Sequence, residues 1–89
     1  MCRVVICGGR SYSFTDADYA FLNALHEQHH FTAVISGCAR GADQNGEVWA
    51  RLNAIPVDRY PANWSRWGNA AGPIRNEEMV KVADAVVAF

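Results

Sequence analysis

Three short segments of this chain each combine glycine with arginine, a pairing suited to holding an anion. The first, Gly8-Gly9-Arg10, directly follows an apolar run. Its glycines allow close backbone approach, and the Arg10 guanidinium adds a planar fork of donors. Glycines after a strand are most often only a turn, and the residues that follow do not complete a GxGxxG dinucleotide fingerprint. Gly8, Gly9 and Arg10 are candidates for phosphate binding, and a plain turn is the favoured alternative for this segment taken alone.

The second segment, residues 36–43, consists almost entirely of small residues. We expect its backbone amides to be uncovered and to meet a phosphate at the start of a helix, where the helix dipole favours negative charge. The segment lacks the Gly-Lys-Ser/Thr of a Walker loop. Asp43 would repel a phosphate, so we expect it to accept from a ribose hydroxyl or to cap the helix. The candidate ligand residues here are Ser36, Gly37, Arg40, Gly41, Ala42 and Asp43.

The third segment, Gly72-Pro73-Ile74-Arg75-Asn76, opens a predicted helix. A cation near a helix N-terminus opposes the dipole, so we expect Arg75 to have an anionic partner. That partner is either a ligand or an internal carboxylate, such as Glu78 or Asp43. Gly72, Arg75 and Asn76 are candidate ligand residues, and Asn76 is suited to a base or ribose edge.

Two tryptophans, Trp64 and Trp67, lie in a polar stretch before the third segment. Stacking on a nucleotide base and packing in the core are equally compatible with this placement, and Trp64 is the candidate for stacking. The histidines at 26, 29 and 30 have a spacing that could bind a metal, but no carboxylate or cysteine completes the set, so a solvated helix end is favoured and no metal is predicted. The three cysteines form no CxxC pair, which favours buried thiols and a cytoplasmic location.

Strand-like and helix-like patterns alternate along the chain. The predicted strands are 3–7, 33–36, 56–60 and 85–89, the predicted helices are 15–29, 42–53 and 73–83, and an irregular loop covers 61–73. We expect Phe21, Leu22 and Leu25 to share one helix face, and Val48, Trp49 and Leu52 to point inward. The alternation predicts right-handed βαβ crossovers. The fold class is therefore α/β: one domain over residues 1–89, a three-layer Rossmann-like parallel sheet of about four strands with helices on both faces.

The last predicted strand, residues 85–89, is apolar and has no helix after it. A parallel strand is normally covered on both faces. We therefore expect either a truncated sequence or a covering chain, and the exposed strand predicts a homo-oligomer.

Composition limits the possible partners. The chain has 89 residues and a formal net charge of −1, so it has no general attraction for nucleic acid or an anionic membrane surface. No apolar run approaches the ~18 residues of a membrane span. Any anion must be held by a local site.

In their order and spacing, four motifs resemble the YspA/YpsA-related branch of the SLOG superfamily, which includes the Smf/DprA proteins and the "Lonely guy" phosphoribohydrolases. The motifs are residues 8–10, 36–43, 60–64 and 71–79. The resemblance covers essentially the whole chain. It implies a Rossmann-like fold with a pocket for nucleotides or their derivatives, including ligands of the ADP-ribose type, in a protein of bacteria or phages.

Matched position by position, the first two segments correspond to the loops that hold phosphate and ribose. Arg75 stands where the phosphoribohydrolases carry an arginine implicated in catalysis. Cys38 replaces a usual glycine, and Asn45-Gly46 replace usually apolar residues, which predicts looser packing of the second helix or exposure to a partner. The superfamily's PGGxGT-type loop and its acidic residue follow the strand that here is 85–89, and the sequence stops before them.

These observations predict a protein that binds a nucleotide or nucleotide-derived ligand, ADP-ribose-like or a nucleoside monophosphate, as a sensor or sequestering protein without a cofactor. The alternative is a nucleoside-5′-monophosphate phosphoribohydrolase or related nucleotide hydrolase. In that case Arg75 and Asp43 form the polar centre, and a partner chain or missing C-terminal segment supplies the acid/base half. A nucleic-acid role like that of Smf/DprA is disfavoured by the net charge of −1 and the lack of a basic stripe.

Overall fold

Four parallel strands form one sheet in the computed structural model, which describes residues 2–89. The strands are β1 (Cys2–Cys7), β2 (Phe31–Ser36), β3 (Val57–Arg59) and β4 (Ala85–Ala88). Their order in the sheet is β3-β2-β1-β4, and all three neighbouring pairs are parallel. This order matches four strands of the 3-2-1-4-5-6 arrangement of Rossmann-type sheets. The predicted Rossmann-like α/β class is confirmed.

Helices cover both faces of the sheet. They are α1 (Asp16–His29), α2 (Ala42–Leu52), the short α3 (Trp64–Trp67) and α4 (Ala71–Val82), and a 3-10 turn at Gly68–Ala70 joins the last two. Leu22 of α1 and Trp49 of α2 pack with Val4 and Ile6 on one face. Met79 of α4 packs with Val5 on the other. The faces alternate because successive side chains of a strand point to opposite sides.

Helix α1 begins with a side-chain cap at Thr15. The Thr15 hydroxyl oxygen accepts from the Asp18 amide at 3.2 Å, and the Asp18 carboxylate accepts from the Thr15 amide at 2.9 Å. This reciprocal pair is a capping box, which satisfies two otherwise unpaired backbone donors. The backbone hydrogen bond from Thr15, followed by the Tyr12 hydroxyl, lowers the pKa of Asp18.

Helix α2 lies closer to the sheet than its sequence suggests. Gly46 is buried, and a Cβ at this position would lie 2.7 Å from Ile6 Cγ2. The neighbouring Asn45 amide group donates to the Gly41 carbonyl at 2.7 Å. The expectation that Asn45-Gly46 loosens or exposes this helix is therefore wrong, because the missing side chain at Gly46 brings α2 against β1.

Several side chains depart from their predicted placement. Trp49 is buried as expected, but Val48 and Leu52 are exposed, Leu52 by 77%. They lie one turn apart on the outer side of α2, because Gly46, Trp49 and Ala50 take the inner side. Phe21 is also exposed, whereas its neighbour Leu22 is buried.

The stretch predicted as an irregular loop is largely helical. It contains α3 and the 3-10 turn, and α4 begins at Ala71 rather than at Pro73. The Asn63 side chain caps α3 by accepting from the Arg66 amide at 3.2 Å. None of the helices within residues 2–89 has the length and apolar character needed to cross a bilayer.

Candidate functional site

A cavity of about 580 Å³ lies beyond the C-terminal ends of β1, β2 and β3. Its walls are residues 10–11, 37–40, 61–62 and 64, together with Arg75 of α4. This is the edge at which open α/β sheets bind ligands, and the volume is within the ordinary range for small-molecule sites. All three anion-binding segments predicted from the sequence contribute to it.

Glycines bring the loops after β1 and β2 into contact. The Gly9 carbonyl accepts from the Ala42 amide at 3.2 Å and from the Tyr12 amide at 3.2 Å. Gly41 has a φ of +73°, and a Cβ there would collide with the Gly9 carbonyl oxygen. A Cβ at Gly8 would likewise meet Ala42. Gly8, Gly9, Gly41 and Ala42 thus form the support that holds Arg10 beside the β2–α2 loop.

Three backbone amides in and next to the β2–α2 loop, those of Cys38, Ala39 and Ala42, are already used inside the protein. The Ser36 hydroxyl oxygen accepts from the Cys38 amide at 3.1 Å, and Asp43 Oδ2 accepts from the Ala39 amide at 3.3 Å. The Ala42 amide at the start of α2 is bound to Gly9. The expectation of uncovered amides is therefore wrong at these three positions, because side chains and a carbonyl of the same loops reach them first.

Two buried carboxylates on α2 stabilise this loop through hydrogen bonds. Asp43 and Glu47 are 5% and 4% exposed and lie one helical turn apart. Glu47 accepts from the Ser36 hydroxyl at 2.6 Å, so it acts on the Cys38 amide through Ser36. Burial raises the pKa of Asp43, and the Ala39 amide and the Arg75 charge partly oppose that rise.

Sequence reasoning missed Glu47. Its charge is balanced by Arg51, one turn further along α2, at 3.2 Å and by Arg59 of β3 at 3.4 Å. The available signal was spacing: Asp43, Glu47 and Arg51 follow one another at four-residue intervals, which places them on one side of a helix.

Arg75 is held by its neighbours rather than by a carboxylate. Its Nη1 donates to the Gly37 carbonyl, and its Nε donates to Asn76 Oδ1 at 2.8 Å. The ion pairs within residues 2–89 do not include Arg75, so neither Asp43 nor Glu78 pairs with it. A Cβ on Gly37 would lie 2.8 Å from Arg75 Nη1, so the glycine leaves room for this contact.

The two tryptophans of α3 are about half exposed, at 51% for Trp64 and 45% for Trp67. Packing in the core is therefore the wrong interpretation of both. Trp64 lines the cavity, and a Cβ on Gly72 would lie 3.5 Å from its ring. Trp67 lies outside the cavity wall, with the Arg66 guanidinium 4.6 Å from its ring centroid.

The predicted site residues thus occupy different depths. Arg10, Gly37, Arg40, Trp64 and Arg75 line the cavity. Gly8, Gly9, Gly41 and Ala42 support it, Ser36 and Asp43 are buried beneath it, and Gly72 and Asn76 contact Trp64 and Arg75. Residues 2–89 contain no group of three or more His, Cys, Asp or Glu side chains placed to hold a metal ion.

A Rossmann-like parallel sheet with an arginine-lined cavity at its C-terminal edge defines the class of this protein. The model of the YspA, cpYpsA-related SLOG family matches residues 2–67, and the chain belongs to that family. It is similar to the Gene 61 protein of Mycobacterium phage D29, with 35% identity over 97 aligned residues that cover 100% of this chain and 77% of the phage protein. No solved structure matches the chain.

Proposed function

We propose that this protein binds a nucleotide or nucleotide-derived phosphate ester in the cavity beyond β1, β2 and β3. The observation that carries the proposal is the convergence of three arginines, from three separate segments, with one exposed tryptophan face. No carboxylate or histidine is among the described residues that line the cavity. Membership of the SLOG family supports nucleotide-related binding at the same coarse level.

Each wall of the cavity suits one part of such a ligand. Guanidinium groups form charge-assisted and often bidentate hydrogen bonds with phosphate oxygens. Arg75 suits this role because Gly37 and Asn76 fix its orientation before the ligand arrives. The half-exposed Trp64 ring offers a flat apolar surface on which a base can stack. ADP-ribose-like ligands and nucleoside monophosphates both contain these two parts.

Nucleotide hydrolysis is the second candidate, and Arg75 in the cavity is the observation that favours it. Cleavage of an N-glycosidic bond also requires a group that exchanges protons with the reacting atoms. Asp43 has a raised pKa, but it is 5% exposed and its Oδ2 accepts from the Ala39 amide. The described residues therefore favour binding over turnover.

We also propose a cytoplasmic location, for which the three free cysteines are the support.

Isothermal titration tests the binding function with AMP, ADP-ribose, cyclic ADP-ribose and NAD. Arg75→Gln should weaken binding by about tenfold or more, because a charge-assisted hydrogen bond contributes about 1.5–3 kcal/mol. Lys81→Gln is the matched control, since it removes one positive charge from the same helix at an exposed pair with Glu77. Undiminished affinity in Arg75→Gln would refute the proposed site, and chromatography that finds released base would establish the hydrolase.

A further inference from the structure

The basic side chains of residues 2–89 divide into two groups. Arg3, Arg51, Arg59 and Lys81 form ion pairs, Arg66 stacks on Trp67, and Arg75 binds the Gly37 carbonyl and Asn76. Within that range Arg10 and Arg40 form no ion pair and no side-chain hydrogen bond. Both line the cavity. The two arginines of residues 2–89 that have no internal partner, Arg10 and Arg40, therefore both lie at the cavity.

Arg10 and Arg40 are held near each other by the backbone. Arg10 follows β1 and Arg40 follows β2, and these strands are neighbours in the sheet. The hydrogen bond from the Ala42 amide to the Gly9 carbonyl, at 3.2 Å, joins the two loops one or two residues from the arginines. Their mutual repulsion is not relieved by any acidic side chain in the described wall of the cavity. An anion bound between them would relieve it.

The cavity offers more guanidinium donors than one phosphate group can engage. Three guanidinium groups line it, whereas a phosphate monoester has three acceptor oxygens. Arg75 also has two of its nitrogens engaged by Gly37 and Asn76, which leaves Nη2 for a ligand. Arg10 and Arg40 keep all their donors. The wall is thus suited to more than one phosphoryl group.

The positions of Trp64 and Arg75 suit one orientation of a bound nucleotide, with its base at Trp64 and its phosphate at Arg75. A Cβ on Gly72 would lie 3.5 Å from the Trp64 ring and 3.9 Å from Arg75 Nη2, so these two side chains are neighbours. A nucleotide whose base stacks on Trp64 can reach Arg75 with the phosphoryl group next to its ribose. We infer that a second phosphoryl group binds at Arg10 and Arg40, so that the site prefers nucleoside diphosphates to monophosphates. This inference rests on the nucleotide-binding function proposed above.

Titrating matched pairs of nucleoside mono- and diphosphates with adenine, guanine, cytosine and uracil tests the preference. For at least one base, we expect the diphosphate to bind about tenfold more tightly, because its added group gains charge-assisted hydrogen bonds. Arg10→Gln and Arg40→Gln should each weaken diphosphate binding more than monophosphate binding, and so reduce that ratio toward one. Arg75→Gln should weaken both ligands, and Lys81→Gln should change neither.

The possible results separate the two proposals. Monophosphates and diphosphates that bind equally well, or arginine variants that weaken both ligands equally, would overturn the diphosphate preference and leave nucleotide binding intact. Failure of every nucleoside mono- and diphosphate to bind would overturn the diphosphate preference, and failure of ADP-ribose, cyclic ADP-ribose and NAD as well would overturn the nucleotide-binding function. A diphosphate preference that disappears in Arg10→Gln and Arg40→Gln but persists in Lys81→Gln supports the inference.

Discussion

Two buried residues that do not line the cavity, Asp43 and Glu47, determine the conformation of the β2–α2 loop. Asp43 binds the Ala39 amide directly, and Glu47 acts on the Cys38 amide through the Ser36 hydroxyl. A buried carboxylate is unfavourable unless it is hydrogen-bonded and paired, and Glu47 meets both conditions through Ser36, Arg51 and Arg59. The loop therefore presents side-chain guanidinium groups, rather than these amides, to a ligand.

Replacing Glu47 should destabilise the fold because its carboxylate accepts the hydrogen bond of the buried Ser36 hydroxyl. We expect Glu47→Ala to lower the free energy of unfolding by about 2 kcal/mol, because it leaves the buried Ser36 hydroxyl without its acceptor. Glu47→Gln should lose less, since an amide oxygen still accepts from Ser36. Urea denaturation followed by tryptophan fluorescence measures both. Glu77→Ala is the control, because its pair with Lys81 is exposed and worth under about 0.5 kcal/mol. Equal losses at positions 47 and 77 would contradict the role given to Glu47.

At the scale of elements, the close packing of α2 on the sheet determines where the β2–α2 loop lies at the cavity. Gly46 lets α2 contact Ile6 of β1, and the same helix carries Asp43 and Glu47 beneath the β2–α2 loop. A larger residue at position 46 would move these carboxylates away from the amides and hydroxyl that they bind. The spacing between α2 and β1 therefore couples core packing to the site.

We expect Gly46→Ala to destabilise the protein by about 1 kcal/mol in net terms. The added Cβ would lie 2.7 Å from Ile6 Cγ2, and overpacking of this kind typically costs about 1–3 kcal/mol. Alanine recovers about 1 kcal/mol of that through its higher helix propensity. A double-mutant cycle with Ile6→Ala, measured by denaturation, should show that the cost falls once the facing side chain is shortened. A cost that is independent of residue 6 would rule out the proposed contact.

The elements themselves were largely predictable from sequence, and their detailed contacts were not. Alternating apolar runs and helical spacing located all four strands and the helices α1, α2 and α4, and the glycine-arginine segments indicated which loops form the cavity. Helix α3 was missed because four residues give no periodicity. The inner face of α2 was misassigned because Gly46 and Glu47 occupy it in place of Val48 and Leu52, and neither glycine nor glutamate is an apolar signal.

At the scale of the whole molecule, the sheet has an apolar edge. Among the strands of residues 2–89, β4 pairs with β1 alone, and its Val86 side chain is 54% exposed. An exposed edge strand without charge or proline is a template for pairing with another chain. Two copies related by a two-fold axis can join their β4 strands into one continuous sheet, with both cavities left open at the strand ends.

We therefore predict that the protein self-associates through β4. Light scattering coupled to size-exclusion chromatography should show a concentration-dependent dimer, about twice the 9.8 kDa of the chain. Val86→Lys should shift the equilibrium toward monomer, because a charge on an edge strand opposes pairing. Leu52→Lys is the control, since Leu52 is 77% exposed on α2, away from β4. A wild-type chain that remains monomeric at every concentration would refute the prediction, and equal effects of both lysines would locate the interface elsewhere.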